Sequence, residues 1–153
     1  MKGYSLGFLF RPKVHFNGVR RHQVLLLRKK KPEWMYNLLT GVGGAIEAGE
    51  TPVQAMVREF QEETGLETLT NQWVQFATLD VMGSRIHVFK SFQPTKEPKT
   101  MTDEEVGWYR AEHSFNRGDM YRNTHWLMSM ALQDPHFTHE ITIHKEVLPH
   151  VES

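Results

Sequence analysis

Cysteine is absent from this chain of 153 residues. That excludes a disulfide scaffold, a zinc–thiolate centre and a cysteine nucleophile. Long apolar runs are also absent. Val24–Leu27 is among the longest, far below the roughly 20 apolar residues that a membrane-spanning helix needs. The first residues lack a basic region followed by an apolar one, so no signal peptide is expected. Nor does charge of one sign dominate: Lys plus Arg number 18, as do Asp plus Glu. Zero net charge argues against a dedicated nucleic-acid or membrane-surface binder, which is usually basic. The cluster Arg28–Lys31 is a local exception, and its plain reading is a solvated strand end. What remains is ordinary for a globular protein, with 24% charged and 39% hydrophobic residues. The length suits one domain over 1–153 with a real core. A cytoplasmic location is expected.

The chain reads as mixed strands with two helices. Tyr4–Phe10 is rich in aromatic and aliphatic residues and predicts a strand, ended by Pro12, with a turn at Asn17-Gly18. Gln23–Leu27 predicts a second, buried strand. Pro32–Leu39 is a loop carrying Trp34 and Tyr36, and Gly41, Gly43 and Gly44 then give a flexible stretch that exposes backbone. Thr51–Thr64 is the strongest helix. Thr51 can cap it, Pro52 suits the first helical position, and Gly65 suits the left-handed residue that closes it. Val53, Met56, Val57 and Phe60 recur at helical spacing on one face. Strands are expected at Trp73–Val81 and Arg85–Phe92, joined at Met82-Gly83-Ser84, and at Val106–Tyr109. Residues 94–103 read as a loop, Arg122–Leu132 as a helix and Glu140–Val147 as a late strand. This order predicts an α+β or α/β sandwich.

The chemistry lies on the first helix. Glu59, Glu62 and Glu63 are spaced i, i+3 and i+4, which puts three carboxylates on one helical face. Their mutual repulsion costs stability unless a cation sits among them, and hard divalent cations take oxygen ligands. Alone, such a face reads more naturally as solvated.

The surroundings change that reading. From Gly44, five residues lead to Glu50 and seven more to Arg58, followed by Glu59, Phe60, Gln61, Glu62, Glu63, Thr64, Gly65 and Leu66. This resembles the Nudix box, G-x5-E-x7-R-E-U-x-E-E-x-G-U with U bulky and apolar, at every specified position. Phe60 is unusual only in being aromatic. The resemblance implies an α/β/α sandwich with a mixed β-sheet and a catalytic loop–helix–loop. It implies hydrolysis of a phosphoanhydride bond in a nucleoside diphosphate derivative with Mg²⁺, or Mn²⁺ in its place. Glu59, Glu62 and Glu63, with the carbonyl of Gly43, would bind metal. Arg58 would pair with Glu50, and with Glu47 beside it, and so orient the carboxylates. Glu59 and Glu62 are candidates for the general base on the helix. Glu104, in the acidic loop Thr102–Tyr109, is the candidate elsewhere, against the plain reading of a solvated loop.

Two further resemblances bear on substrate. Leu39–Glu47 looks like the N-G-x-G-G-K-x-E segment of the oxidised-purine triphosphatase group, with Thr40 where that group has Asn and Ala45 where it has Lys. Asn123, in Asn123-Thr124-His125-Trp126-Leu127, stands where the group sets an amide against the base, and can equally cap a helix. Trp34 and Tyr36 are candidates for stacking on a base, whereas Tyr4, Phe8 and Phe10 read first as core. The expected partner is a small nucleotide: a (d)NTP first, then ADP-ribose, a nucleotide sugar, a dinucleoside polyphosphate or a capped RNA end. A module that senses nucleotides without cleaving them is disfavoured by the intact box. The histidines near the C-terminus, His136, His139, His144 and His150, read as strand and tail residues rather than a zinc site. The Glu140–Val147 strand can close a sheet edge or pair across a homodimer.

Overall fold

A computed structural model describes residues 1–14, 17–18, 20–112, 117–133 and 141–145. Among them lie strands β1 (Lys2–Val14), β2 (Arg20–Arg28), β3 (Leu39–Thr40), β4 (Val42–Ala45), β5 (Val74–Val81), β6 (Ser84–Phe92), β7 (Val106–Arg110) and β8 (Ile141–Lys145). Two α-helices accompany them, α1 (Pro52–Thr64) and α2 (Thr124–Gln133). The strands form one mixed sheet in the order β3-β2-β1-β6-β5-β8, with β4 also on β1 and β7 also on β2. β1 runs parallel to β6 and β5 parallel to β8, while the other pairs are antiparallel. β8 therefore covers a sheet edge, one of the two roles foreseen for that segment.

Side-chain alternation along the strands divides the core in two. Phe8, Phe10, Val24, Leu26 and Val88 pack with Leu127, Met128 and Ala131 of α2. Leu9, Leu25, Leu27 and Phe89 pack with Met56 and Phe60 of α1. Successive residues of β1 thus serve opposite helices, which is the expected α/β/α sandwich. Phe8 and Phe10 are fully buried, as core residues. The face of α1 sits as its spacing predicts, with Met56 and Phe60 buried and Val53 and Val57 packed at its margin. Phe60 meets Trp73 edge to face at 5.1 Å.

Several expected boundaries shift. β1 runs through Pro12 to Val14 rather than ending there. β6 stops opposite Phe10 at Phe92, and the Phe10 carbonyl accepts from the Gln93 N–H on that side. Backbone alternation turns the Pro12 nitrogen the same way, past the end of β6, where no ladder requires a donor. The hairpin β5–β6 needs only Met82 and Gly83, since Ser84 already pairs with Val81. Both turn residues have positive φ, 54° and 76°, as a two-residue turn matching strand twist demands. The glycine stretch is no flexible loop: Val42–Ala45 is a strand paired with Tyr4–Gly7. Glycine is required there by close approach, because a Cβ at Gly43 would run into the Ser5 carbonyl.

β1 changes partner along its length. Tyr4–Gly7 pairs with β4, and Phe10–Val14 with β2. This sends two strands away from a common edge, and β4 leads directly into α1. Ser5 fastens the junction by donating its hydroxyl to the Pro52 carbonyl at 2.6 Å.

Phe60 is the unusual residue of the box, and its burial against Trp73 makes it the main filler between α1 and the sheet. Phe60→Ala is expected to cost about 3–5 kcal/mol of unfolding free energy through lost burial and an unfilled cavity. Urea denaturation measures this, and a loss well under ~1 kcal/mol would show that the helix packs otherwise.

Candidate functional site

The helix start is fixed locally. The Thr51 hydroxyl accepts from the Gln54 N–H at 3.3 Å and the Gln54 side chain accepts from the Thr51 N–H at 2.9 Å, a reciprocal capping box. The end is fixed by Gly65 at φ +73°, whose N–H donates to Gln61 O. Between these caps the register of Arg58, Glu59, Glu62 and Glu63 on the helix face is set.

Arg58 is the hub. Its Nε donates to Glu50 at 2.7 Å and one terminal nitrogen to the other Glu50 oxygen at 2.9 Å, a bidentate pair. The same nitrogen reaches the Ala45 carbonyl at 3.0 Å, and the other donates to Glu59 at 3.0 Å and Glu62 at 3.3 Å. Glu47 lies 3.6 Å away. Glu50 also accepts from the Glu47 N–H at 2.8 Å, so the loop before the helix closes on the same centre. These contacts raise the Arg58 pKa further, with the Glu50 hydrogen bond as the leading cause, and hold Glu50 below the usual carboxylate range.

Glu59 and Glu63 differ from their neighbours. Burial is the first cause that pushes both carboxyls upward. Glu59 is further influenced by Arg58, which lowers it, and Glu63 by a hydrogen bond from Thr102, which also lowers it. Ionising both in place costs energy that a cation would offset. Gly44 makes room for this: a Cβ there would stand 2.5 Å from the Glu59 carboxyl carbon. Gly43 lies one residue away in the same strand.

The donor chemistry suits a hard divalent cation, since carboxylate oxygens from one helix face are gathered beside a backbone that admits no side chain. Among the described residues no three carboxylates or imidazoles yet converge on one ion-sized position. Arg58 draws Glu59 and Glu62 toward itself, so a cation would require rotation of these side chains. His136, His139 and His150 lie outside the described residues, and of His144 only its place in β8 is described.

Of the candidate nucleotide contacts, Trp34, Tyr36 and Thr40 lie on the run of chain before β4, and Asn123 lies just before α2. Thr40 is buried and pairs opposite Leu27. Trp34 and Tyr36 are exposed, at 67% and 63%. Trp34 contacts the ring of Tyr121 at 5.7 Å between centroids, a residue for which the sequence carried no signal. Asn123 stands just before α2, its carbonyl accepting from the Leu127 N–H at 2.8 Å as a cap residue does, but with φ +68° rather than an extended backbone. From Thr40 the chain passes through Gly41 to Gly43 and Gly44, which joins this group to the carboxylates.

Asp119 is a second unforeseen member. Its carbonyl accepts from the Leu39 N–H at 2.7 Å, and its carboxylate holds Arg28 at 3.1 Å and Arg117 at 2.9 Å. Of the basic cluster, Arg28 is thus engaged by Asp119 and Lys29 by Glu104, while Lys30 and Lys31 are exposed. Glu104 accepts from the Lys30 N–H at 2.6 Å and has a side chain only 12% exposed.

A family model for the NUDIX domain matches residues 14–127. The chain belongs to the NUDIX domain family. A stretch of 45 residues is 47% identical to the 8-oxo-dGTP diphosphatase of Escherichia coli K12, covering 29% of this chain. The chain spans about a third of the length of that curated relative, 35%. Among solved structures, the MutT protein of Bacillus halodurans superposes with a TM-score of 0.66 at 20% identity, over 94% of this chain and 90% of the other. The NUDIX domain of Shewanella oneidensis NrtR, solved with ADP ribose, gives a TM-score of 0.69 at 18% identity over 86% of each chain. At these identities the two structures show a shared NUDIX fold. No helix among the described residues is long and apolar enough to cross a membrane.

The Arg117 and Arg28 contacts hold the Asp119 carboxyl down from its ordinary 3.8 to about 2, with Arg117 the leading cause. A lowered pKa means stability that is present above the ordinary value and lost as pH falls through about 2. Asp119→Asn is therefore expected to cost roughly 1 kcal/mol at neutral pH, after allowance for its partial exposure. The difference from the parent protein should shrink on acidification. Urea titrations across that range check it, and a pH-independent difference would contradict the ion-pair origin.

Proposed function

We propose that this chain is a pyrophosphohydrolase that uses Mg²⁺ to cleave a nucleoside triphosphate to the monophosphate and pyrophosphate, with an oxidised purine deoxynucleotide as the first candidate. The observation that carries the reading is the half-buried pair Glu59 and Glu63 on the α1 face where Arg58 also holds Glu59 and Glu62. The partial likeness to an 8-oxo-dGTP diphosphatase supports the substrate class. The NrtR domain solved with ADP ribose favours ADP-ribose as the second reading.

In this account Glu59, Glu62 and Glu63, with the Gly43 carbonyl, hold the metal. When bound, Mg²⁺ supplies charge neutralisation for the phosphoanhydride oxygens and eases deprotonation of the attacking water. Water attacks one phosphorus, the bridging P–O bond breaks, and the displaced phosphate leaves with the bond electrons. A carboxylate accepts the proton of the water, and Glu59 and Glu62 are the candidates on the helix. Arg58 holds these carboxylates in register, with Glu50 and Glu47 anchoring its guanidinium in turn. Trp34 and Tyr36 offer exposed faces for a base, and Thr40 and Asn123 are the further candidates for contact with it.

Incubation with Mg²⁺ and a panel of dNTPs, 8-oxo-dGTP, ADP-ribose and nucleotide sugars tests the reading. Release of pyrophosphate and a monophosphate from a triphosphate is expected. Arg58→Ala is expected to lower kcat/KM by about 10–100-fold, the range typical of residues that orient metal ligands. Absence of turnover on every member would refute the enzyme reading, and preference for ADP-ribose over all triphosphates would replace its substrate.

A further inference from the structure

The segment 29–37 poses a physical problem. It carries Trp34 and Tyr36, which are 67% and 63% exposed, and none of Glu33–Met35 is buried. Little apolar surface of this segment is buried, so polar contacts supply much of its anchoring. Its base is closed by Asn37 N–H to Lys29 O at 2.8 Å and Lys29 N–H to Leu38 O at 2.9 Å.

Arg28 also donates to the Asn37 carbonyl at 2.9 Å and the Trp34 ring meets Tyr121, and the anchor at Lys29–Lys31 is Glu104. One carboxylate oxygen accepts from the N–H groups of Lys30 at 2.6 Å and Lys31 at 3.3 Å. The second faces the Lys29 ammonium at 3.2 Å. Hydrogen bonds from backbone N–H to a carboxylate are shorter and stronger than neutral ones, so one side chain can fix three consecutive residues. The loop that bears Glu104 is itself tied down on both sides. The Arg28 N–H donates to the Glu105 carbonyl at 2.8 Å. The Glu104 N–H donates to the Thr102 hydroxyl at 3.1 Å, and that hydroxyl donates to Glu63 at 3.1 Å. A continuous chain of contacts therefore runs from the aromatic segment through Glu104 and Thr102 to a carboxylate of α1.

We infer that Glu104 is a positioning residue whose carboxylate clasps the segment 29–37 and sets Trp34 and Tyr36 at a fixed place relative to Glu63. The inference rests on the nucleotide-hydrolase reading above and assigns Glu104 to substrate placement rather than to proton transfer. Its substitutions should act on KM more than on kcat. Glutamine keeps one acceptor oxygen for the Lys30 N–H, whereas alanine keeps none, so glutamine should rescue in part. A general base would gain nothing from that oxygen in kcat.

The test combines hydrogen exchange of the nucleotide-free protein with steady-state kinetics on wild type, Glu104→Gln and Glu104→Ala. In Glu104→Ala, exchange at the Lys30 and Lys31 amides should speed up by about tenfold or more, while amides of α1 stay protected. KM should rise about tenfold with kcat within about threefold, and Glu104→Gln should fall between the two proteins on both readouts. Unchanged exchange at Lys30 and Lys31 in Glu104→Ala would overturn the clasp. So would a fall in kcat of about a hundredfold or more in both variants with KM unchanged. If wild type cleaves no nucleotide, the hydrolase reading fails, and the exchange result still decides whether Glu104 holds the segment.

Discussion

The guanidinium of Arg58 stands between Glu50 at 2.7 Å, Glu59 at 3.0 Å and Glu62 at 3.3 Å, and much of the site depends on it. Without a cation at that point, carboxylates on adjacent turns would repel one another and splay into solvent. An arginine suits the position better than a lysine because its planar fork binds Glu50 with two parallel hydrogen bonds while leaving donors for Glu59 and the Ala45 carbonyl. One positive charge among Glu47, Glu50, Glu59 and Glu62 still leaves local negative excess. A divalent cation is the natural complement to that excess in the proposed mechanism.

The sheet delivers this centre by a change of partner along β1. Because Tyr4–Gly7 pairs with β4 and Phe10–Val14 with β2, β4 is brought under α1 while β2 carries the 29–37 segment away beside it. The close approach has a steric cost that only glycine meets. Gly43 accommodates the Ser5 carbonyl and Gly44 the Glu59 carboxylate. Packing, backbone composition and site geometry are thus one constraint seen from three sides.

Local signals were legible where the physics is local. Thr51, Pro52 and Gly65 bounded α1 correctly, since capping depends on residues within a turn. The pairing of Arg58 with Glu50 and the α/β/α layering were implied by the resemblance to the Nudix box, while the order of elements alone predicted an α+β or α/β sandwich. Non-local facts were hidden. Pro12 reads as a strand end until the early stop of β6 shows that its missing N–H has no consequence. The glycine stretch reads as flexible until β1 supplies a partner for it. The roles of Asp119, Tyr121 and Thr102 were not legible, because their contacts with Arg28, Trp34 and Glu63 join residues distant in sequence. Glu104 stood out as an acid, but its partners at Lys29, Lys30 and Lys31 are visible only once the chain is folded.

The central claim is that the α1 carboxylates ordered by Arg58 form a divalent-cation site. A crystal soaked with Mn²⁺ tests it most directly, through the anomalous scattering of the ion. The account predicts a peak bounded by Glu59 and Glu63, with the Arg58–Glu50 pair intact beside it. Manganese bound only at other acidic surfaces, with Glu59 and Glu63 unchanged, would contradict it.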